Sequence, residues 1–285
     1  MLIERIINKI HRIIKRYYTV KEPVFIPVYK GELLKERTIL ITGGGSGIGF
    51  CIAEMCIANG ANVILVGRNE QKLEHACNEL KSKDKACSVS YEICDVSNKE
   101  SIEALIDSII ERDGITIDTL INNAGISTTE TFGITTFESL SSLMDTNLKG
   151  VYYLTQCFSN YLIDRNIKGN VLNVASSSSS RPANNPYGVS KWGMLGFTKG
   201  IAKQLIKYGI VVNSVAPGPT AAGMMKKSAN GDLTRNSSPA GRYVTAEEIA
   251  NMVIYLISDM GRMIVGETIF VTGGMGTLTF DDVNY

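Results

Sequence analysis

Histidine and tryptophan are scarce in this chain: His11, His75 and Trp192 are the full complement among 285 residues. Two distant histidines, and six cysteines with no CxxC pair, leave no ligand spacing for a structural zinc site. No metal is expected. Cys51, Cys56, Cys77, Cys87, Cys94 and Cys157 lie mostly in apolar, regular segments. They read as reduced core thiols, which points to a cytoplasmic protein. No apolar run reaches the ~18 residues needed to span a bilayer. The start of the chain has no apolar leader core with a small-residue cleavage site. A net charge of +1 gives no field for a nucleic-acid partner.

What is present is ordinary globular material, 44% hydrophobic and 20% charged. Residues 1–37 stand apart. Leu2, Ile3, Ile6, Ile7, Ile10, Ile13, Ile14, Tyr17 and Tyr18 recur at helical spacing, with Arg5, Lys9, Arg12, Lys15 and Arg16 between them. This is a basic amphipathic helix, closed by Pro23 and Pro27 in an extended connector. It either docks on protein or, through residues 1–18, makes peripheral contact with an anionic membrane.

Residues 38–285 read as one α/β domain. Apolar strand-like runs such as "TILIT", "ANVILVG", "GNVLNVAS" and "IVVNSVAPG" alternate with helical patterns, among them a long helical stretch over 136–167. Thr245 and Glu248 are spaced as a capping box, and Gly60 as a helix stop. Near-continuous apolar strands mean burial on both faces. The expectation is a Rossmann-type, doubly wound parallel sheet of about seven strands with helices on both faces.

The first strand and helix are joined by "TGGGSGIG". Gly43, Gly47 and Gly49 serve a tight turn that lets backbone approach a pyrophosphate, with Ser46 and Ile48 in the same turn. The helix N-terminus adds free N–H groups and the positive dipole end. This is a dinucleotide site. About twenty residues on, an acid would hold the ribose of NAD(H). The second strand ends instead on Gly67 and Arg68, and a guanidinium suits a 2′-phosphate. NADP(H) is favoured, with NAD(H) the alternative.

Further motifs follow in order: "CDV" (94–96), "NNAG" (122–125), "MDTNLKG" (144–150), Tyr187-Gly-Val-Ser-Lys191 and "NSVAPG" (213–218). In this set and order the chain resembles the short-chain dehydrogenase/reductase family, over residues 38 to about 277. The resemblance implies an oxidoreductase that moves hydride between nicotinamide and a carbonyl or secondary alcohol. It implies that Asp95 and Val96 meet the adenine, and that Asn122, Asn123, Ala124 and Gly125 line the cofactor or brace its strand. Pro217, Gly218 and Thr220 would follow on the nicotinamide side. Asn147 would anchor a water leading to Lys191, and Ser176, Tyr187 and Lys191 would form the catalytic set. A homo-oligomer, dimer or tetramer, built on the long helices is also implied.

The physical reading agrees with that assignment. Tyr187 and Lys191 are one helical turn apart and share a face. An adjacent ammonium and an oxidised nicotinamide should lower the tyrosine pKa and ready it for proton exchange with a small-molecule carbonyl or alcohol. Ser176 would donate to the same oxygen.

Two departures from the family stand out. Ser176 lies eleven residues before Tyr187, where the family has about thirteen, so Ser177 or Ser178 could serve instead. Ala222 replaces a common threonine, with Thr220 a possible substitute. Residues 220–243 read as a substrate-covering loop, with Met224 and Met225 its apolar groups. Lys226, Lys227, Arg235 and Arg242 are either solvated or face an anionic substrate.

Overall fold

The computed structural model describes residues 31–83, 88–112, 115–222 and 232–279. The amphipathic pattern of residues 1–18, Cys87 and the candidates Met224, Met225, Lys226 and Lys227 lie outside them.

Seven strands are described: β1 (Thr38–Thr42), β2 (Asn62–Gly67), β3 (Val89–Ile93), β4 (Thr119–Asn122), β5 (Gly169–Val174), β6 (Ile210–Pro217) and β7 (Thr268–Val271). They pair in the order β3-β2-β1-β4-β5-β6-β7, every pair parallel. The helices are α1 (Gly47–Ala58), α2 (Glu70–Lys83), α3 (Lys99–Ile110), α4 (Phe137–Met144), α5 (Gly150–Asp164), α6 (Pro186–Leu205) and α7 (Ala246–Ile257).

Alternation along the strands explains why helices cover both faces. Ile39 and Ile41 of β1, with Val63 and Leu65 of β2, pack into one core with Ile52, Leu73 and Val253 from α1, α2 and α7. Leu40, Ile64 and Val66 point the other way, into a second core with Ile106, Phe158 and Ala202 from α3, α5 and α6. Both faces are apolar, which is why the strands read as continuous hydrophobic runs. Leu34, from the segment before β1, is fully buried in the first core. Its N–H donates to Asn59 O at 2.9 Å, and Gly31 N–H donates to Ala58 O at 3.2 Å.

The capping box is present: the Thr245 hydroxyl and the Glu248 carboxylate each accept from the other's backbone N–H. Gly60 takes φ +86° at the end of α1, a left-handed value that glycine tolerates.

The stretch over 136–167 is not one regular helix. A π turn, Asp145–Lys149, separates α4 from α5, and the Gly150 N–H reaches back five residues to Asp145 O. Asn147 sits in that widened turn. A Cβ on Gly150 would collide with Val96 O, so glycine is required there. Among the described residues no helix is long and apolar enough to cross a membrane, and no cluster of histidine, cysteine or carboxylate residues could hold a metal.

Candidate active site

The C-terminal ends of the strands place the sequence candidates along one edge of the sheet. The order reverses between β1 and β4, the position at which such sheets bind ligands.

The glycine turn leaves β1 there. Gly43 and Gly47 have left-handed φ values of +65° and +59°. A Cβ on Gly49 would collide with Gly43 O. Asn123 ties the turn to β4: its Nδ2 donates to Thr42 O at 3.0 Å and to Gly43 O at 3.2 Å. Thr42 Oγ1 accepts from the N–H groups of Asn123 and Ala124, both at 3.0 Å. This knot was hidden in the sequence, though Thr42 opens the glycine motif. Ser46 is the N-cap residue of α1, yet its side chain makes no capping hydrogen bond. The first-turn N–H groups therefore face outward without a side-chain partner from Ser46. Closed glycines under an uncapped helix start fit the pyrophosphate of a dinucleotide.

Arg68 follows β2 and Asp95 follows β3, and the two pair at 3.7 Å. Burial acts to raise the Asp95 pKa, but hydrogen bonds from Ser97 and the Arg68 charge outweigh it and hold the carboxyl low. Arg68 remains 64% exposed, free to turn toward a further anion. On the far side, Thr220 Oγ1 donates to Gly218 O at 2.8 Å. Its one proton is committed within the loop, so it replaces the missing Ala222 hydroxyl only as an acceptor.

The proton-handling residues converge between β4, β5 and α6. Asn147 is fully buried. Its Oδ1 accepts from Ile126 N–H and its Nδ2 donates to Ile126 O, each at 2.8 Å. Its Nδ2 also lies 3.3 Å from Ser190 Oγ. A Cβ on Gly125 would lie 3.3 Å from Asn147 Oδ1 and 3.9 Å from Lys191 Nζ, which brings those three residues together. Lys191 Nζ donates to Val174 O at 2.8 Å and sits 5.7 Å from the Tyr187 ring centre.

Asn185 starts α6 by accepting from Gly188 N–H, and Pro186 occupies the first helical position. Tyr187 and Lys191 therefore share one face of a capped helix. The Ser176 hydroxyl accepts from Ser178 N–H at 3.1 Å and acts on the Tyr187 phenol to lower its pKa. Ser179 and Ser180 are turned to different tasks. Ser179 Oγ is bonded to Ser176 O at 2.5 Å, and Ser180 Oγ lies 2.6 Å from Gly276 O. Of the serines in the run, Ser176 is the one that acts on the ionisation of the tyrosine.

Two expectations are corrected. The tyrosine pKa is raised, not lowered: burial pushes it up, and the Ser176 hydrogen bond offsets only part of that. The lysine ammonium does not reach the phenol; it is held by Val174 O. Burial pushes Lys191 itself down to about 8. Arg242 is held in an ion pair within the protein. It grips Glu248 through both terminal nitrogens, at 2.9 and 2.6 Å. Arg235 stacks over Tyr243 at 5.0 Å and donates to its hydroxyl at 3.1 Å.

A sequence profile for the family described as Enoyl-(Acyl carrier protein) reductase matches residues 43–276. The chain belongs to the short-chain dehydrogenase/reductase family. Among its short-chain dehydrogenase/reductase relatives, the 3-oxoacyl-(acyl-carrier-protein) reductase of Chlamydia muridarum is 33% identical over 250 residues, covering 86% of this chain and 99% of that protein. The acetoacetyl-CoA reductase of an Acinetobacter species is 32% identical over 250 residues, covering 85% and 98%. The structure of L-sorbose reductase from Gluconobacter frateurii, complexed with NADPH and L-sorbose, superposes with a TM-score of 0.78 at 28% identity, covering 87% and 98%. Like other short-chain dehydrogenases/reductases, the chain is a nicotinamide-dependent oxidoreductase for C=O and CH–OH groups, with NADP(H) the favoured cofactor.

Proposed function

We propose that the chain reduces the keto group of a 3-oxoacyl thioester with NADPH, and that Tyr187 supplies the proton. The observation that carries this reading is Tyr187 at the sheet edge with the buried Lys191 Nζ 5.7 Å from its ring centre on one helix face, beside Ser176, which acts to lower the tyrosine pKa. The thioester class rests on the 3-oxoacyl and acetoacetyl reductases among the relatives.

Bound in the glycine turn, the nicotinamide cofactor supplies hydride to the carbonyl carbon. Gly43, Ser46, Gly47, Ile48 and Gly49 would hold its pyrophosphate, Arg68 its 2′-phosphate, and Asp95 and Val96 its adenine. Asn123, Ala124, Gly125, Pro217, Gly218 and Thr220 would line the remainder. Tyr187 gives its hydroxyl proton to the carbonyl oxygen as that oxygen gains charge. Ser176 donates a hydrogen bond to the same oxygen. Lys191 holds positive charge behind the tyrosine, and Asn147 fixes Ile126 beside it. Burial keeps Tyr187 protonated, which suits a proton donor and hence the reducing direction.

Three assembly features belong to the same reading. α5 and α6 expose Tyr152 and Trp192, and Tyr152 packs on Phe197 with ring centres 4.9 Å apart, a face suited to a homo-oligomer. The five described cysteines are all unpaired, as in the reducing cytoplasm. Residues 1–18 carry the basic amphipathic pattern of a peripheral membrane contact.

The test is NADPH consumption with acetoacetyl-CoA, with L-sorbose as a ketone of another class. Acetoacetyl-CoA should turn over, and Tyr187→Phe should lower the rate by roughly 10²- to 10⁴-fold while leaving NADPH affinity intact. Turnover of L-sorbose with acetoacetyl-CoA inert would overturn the thioester class. A fully active phenylalanine variant would overturn the role of Tyr187.

A further inference from the structure

The serine run is held at two points beyond the site. Ser176 is the N-cap residue of a short 3₁₀ turn, Ser177–Ser180, and the turn is fixed to Ser176 through the Ser179 N–H and hydroxyl, both directed at Ser176 O. At its far end, Ser180 Oγ lies 2.6 Å from Gly276 O, a contact that crosses 96 residues of sequence. Gly276 has φ +73°, and a Cβ there would fall 2.7 Å from Arg181 Nε and 3.0 Å from Ser177 O. The segment after β7 is therefore seated directly on the serine turn. On the opposite side, the indole N–H of Trp192 donates to Arg181 O at 2.6 Å. Trp192 directly follows Lys191, so this bond ties the end of the serine turn to the helix that carries Tyr187 and Lys191.

We infer that Ser180 and Trp192 are positioning residues: through Gly276 O and Arg181 O they clamp the shortened serine loop so that Ser176 keeps its place beside the helix that carries Tyr187. This rests on the reading of Ser176 and Tyr187 given above. The ten residues between Ser176 and Tyr187 must bring the serine to the same oxygen as a longer loop would. The bonds inside the turn, which include a contact of Ser180 Oγ with Ser177 O at 2.9 Å, are local and do not fix it against the rest of the fold. Two external bonds, one from each flank, supply the missing constraint. Neither side chain is assigned to substrate or cofactor.

The experiment uses the full chain with Ser176→Ala, Ser180→Ala, Ser180→Thr and Trp192→Phe. Reduction of acetoacetyl-CoA is measured with NADPH, oxidation of 3-hydroxybutyryl-CoA with NADP⁺ across pH, and NADPH affinity by calorimetry. Ser180→Ala and Trp192→Phe should each lower kcat roughly three- to tenfold, the share of one hydrogen bond, with NADPH affinity and Tm unchanged. The Ser176 hydrogen bond lowers the tyrosine pKa, so both variants should move the pH limb of oxidation to higher pH, as Ser176→Ala does. A general loss of stability would not move that limb. Ser180→Thr, which keeps the hydroxyl, should restore both kcat and the limb.

Wild-type kcat and an unmoved limb in both anchor variants, with Ser176→Ala impaired, would overturn the clamp alone. Failure of Ser180→Thr to recover, or NADPH affinity falling in step with kcat, would overturn it too. Wild-type turnover in Ser176→Ala would remove the reading of the site, and the clamp with it.

Discussion

The ammonium of Lys191 is bonded to the carbonyl of Val174, at 2.8 Å, and not to the hydroxyl of Tyr187. Burial is the cause that brings its pKa from 10.5 to about 8. A group with a lowered folded-state pKa holds fewer protons in the folded than in the unfolded chain between those two values. Its contribution to stability therefore rises with pH from about 8 to 10.5 and is flat below about 8. Activity should go the other way. Reduction needs the positive charge, so kcat/KM should be level up to about pH 8 and fall above it. In Lys191→Arg any residual activity should lose this limb, because guanidinium does not titrate there. A limb kept at the same pH in that variant would assign it to another group.

Arg68 and Asp95 form a loose pair at 3.7 Å, and the arginine is well exposed. Such a pair contributes about 0–1 kcal/mol, so a 2′-phosphate can replace the carboxylate as partner. Arg68→Ala should weaken NADPH binding by about tenfold or more, the value of a hydrogen bond to a charged group. NADH affinity should stay nearly constant. Calorimetric titration of the two cofactors decides this, and equal weakening of both would show that Arg68 does not read the phosphate.

A buried chain of amides runs under the site. Asn122 Nδ2 donates to Thr155 Oγ1 and to Asn173 Oδ1, and Asn173 Nδ2 donates to Thr198 Oγ1, all at 2.9 Å. It ties β4, β5, α5 and α6 together. Asn173→Leu should remove both of its bonds, while Asn122 keeps Thr155 and Thr198 keeps Met194 O, and cost about 1–3 kcal/mol, at roughly 0.5–1.5 kcal/mol per buried hydrogen bond. Urea denaturation measures it; an unchanged midpoint would mean the chain is dispensable.

The fold was legible in the sequence because the central strands show apolar groups to both sides, as with Ile39, Leu40 and Ile41 of β1. The glycine turn was legible because two of its glycines need left-handed φ and a third admits no Cβ. The π turn was not. A five-residue widening leaves the apolar period nearly intact, and what accompanies it is the grip of Asn147 on Ile126, twenty-one residues away. The missing pull of the ammonium on the tyrosine was not legible either: sequence shows that a lysine is near, but not that its Nζ is held by Val174 O. The Arg68–Asp95 pair and the Ser180–Gly276 contact join different strand ends, so no local spacing announces them.

Trp192 has a second consequence. It is the one indole in the chain, it is about half exposed, and its N–H is committed to the serine loop. All tryptophan emission therefore comes from a single point one residue beyond Lys191. The protein carries its own optical gauge of the catalytic loop, readable without labels in stopped-flow mixing.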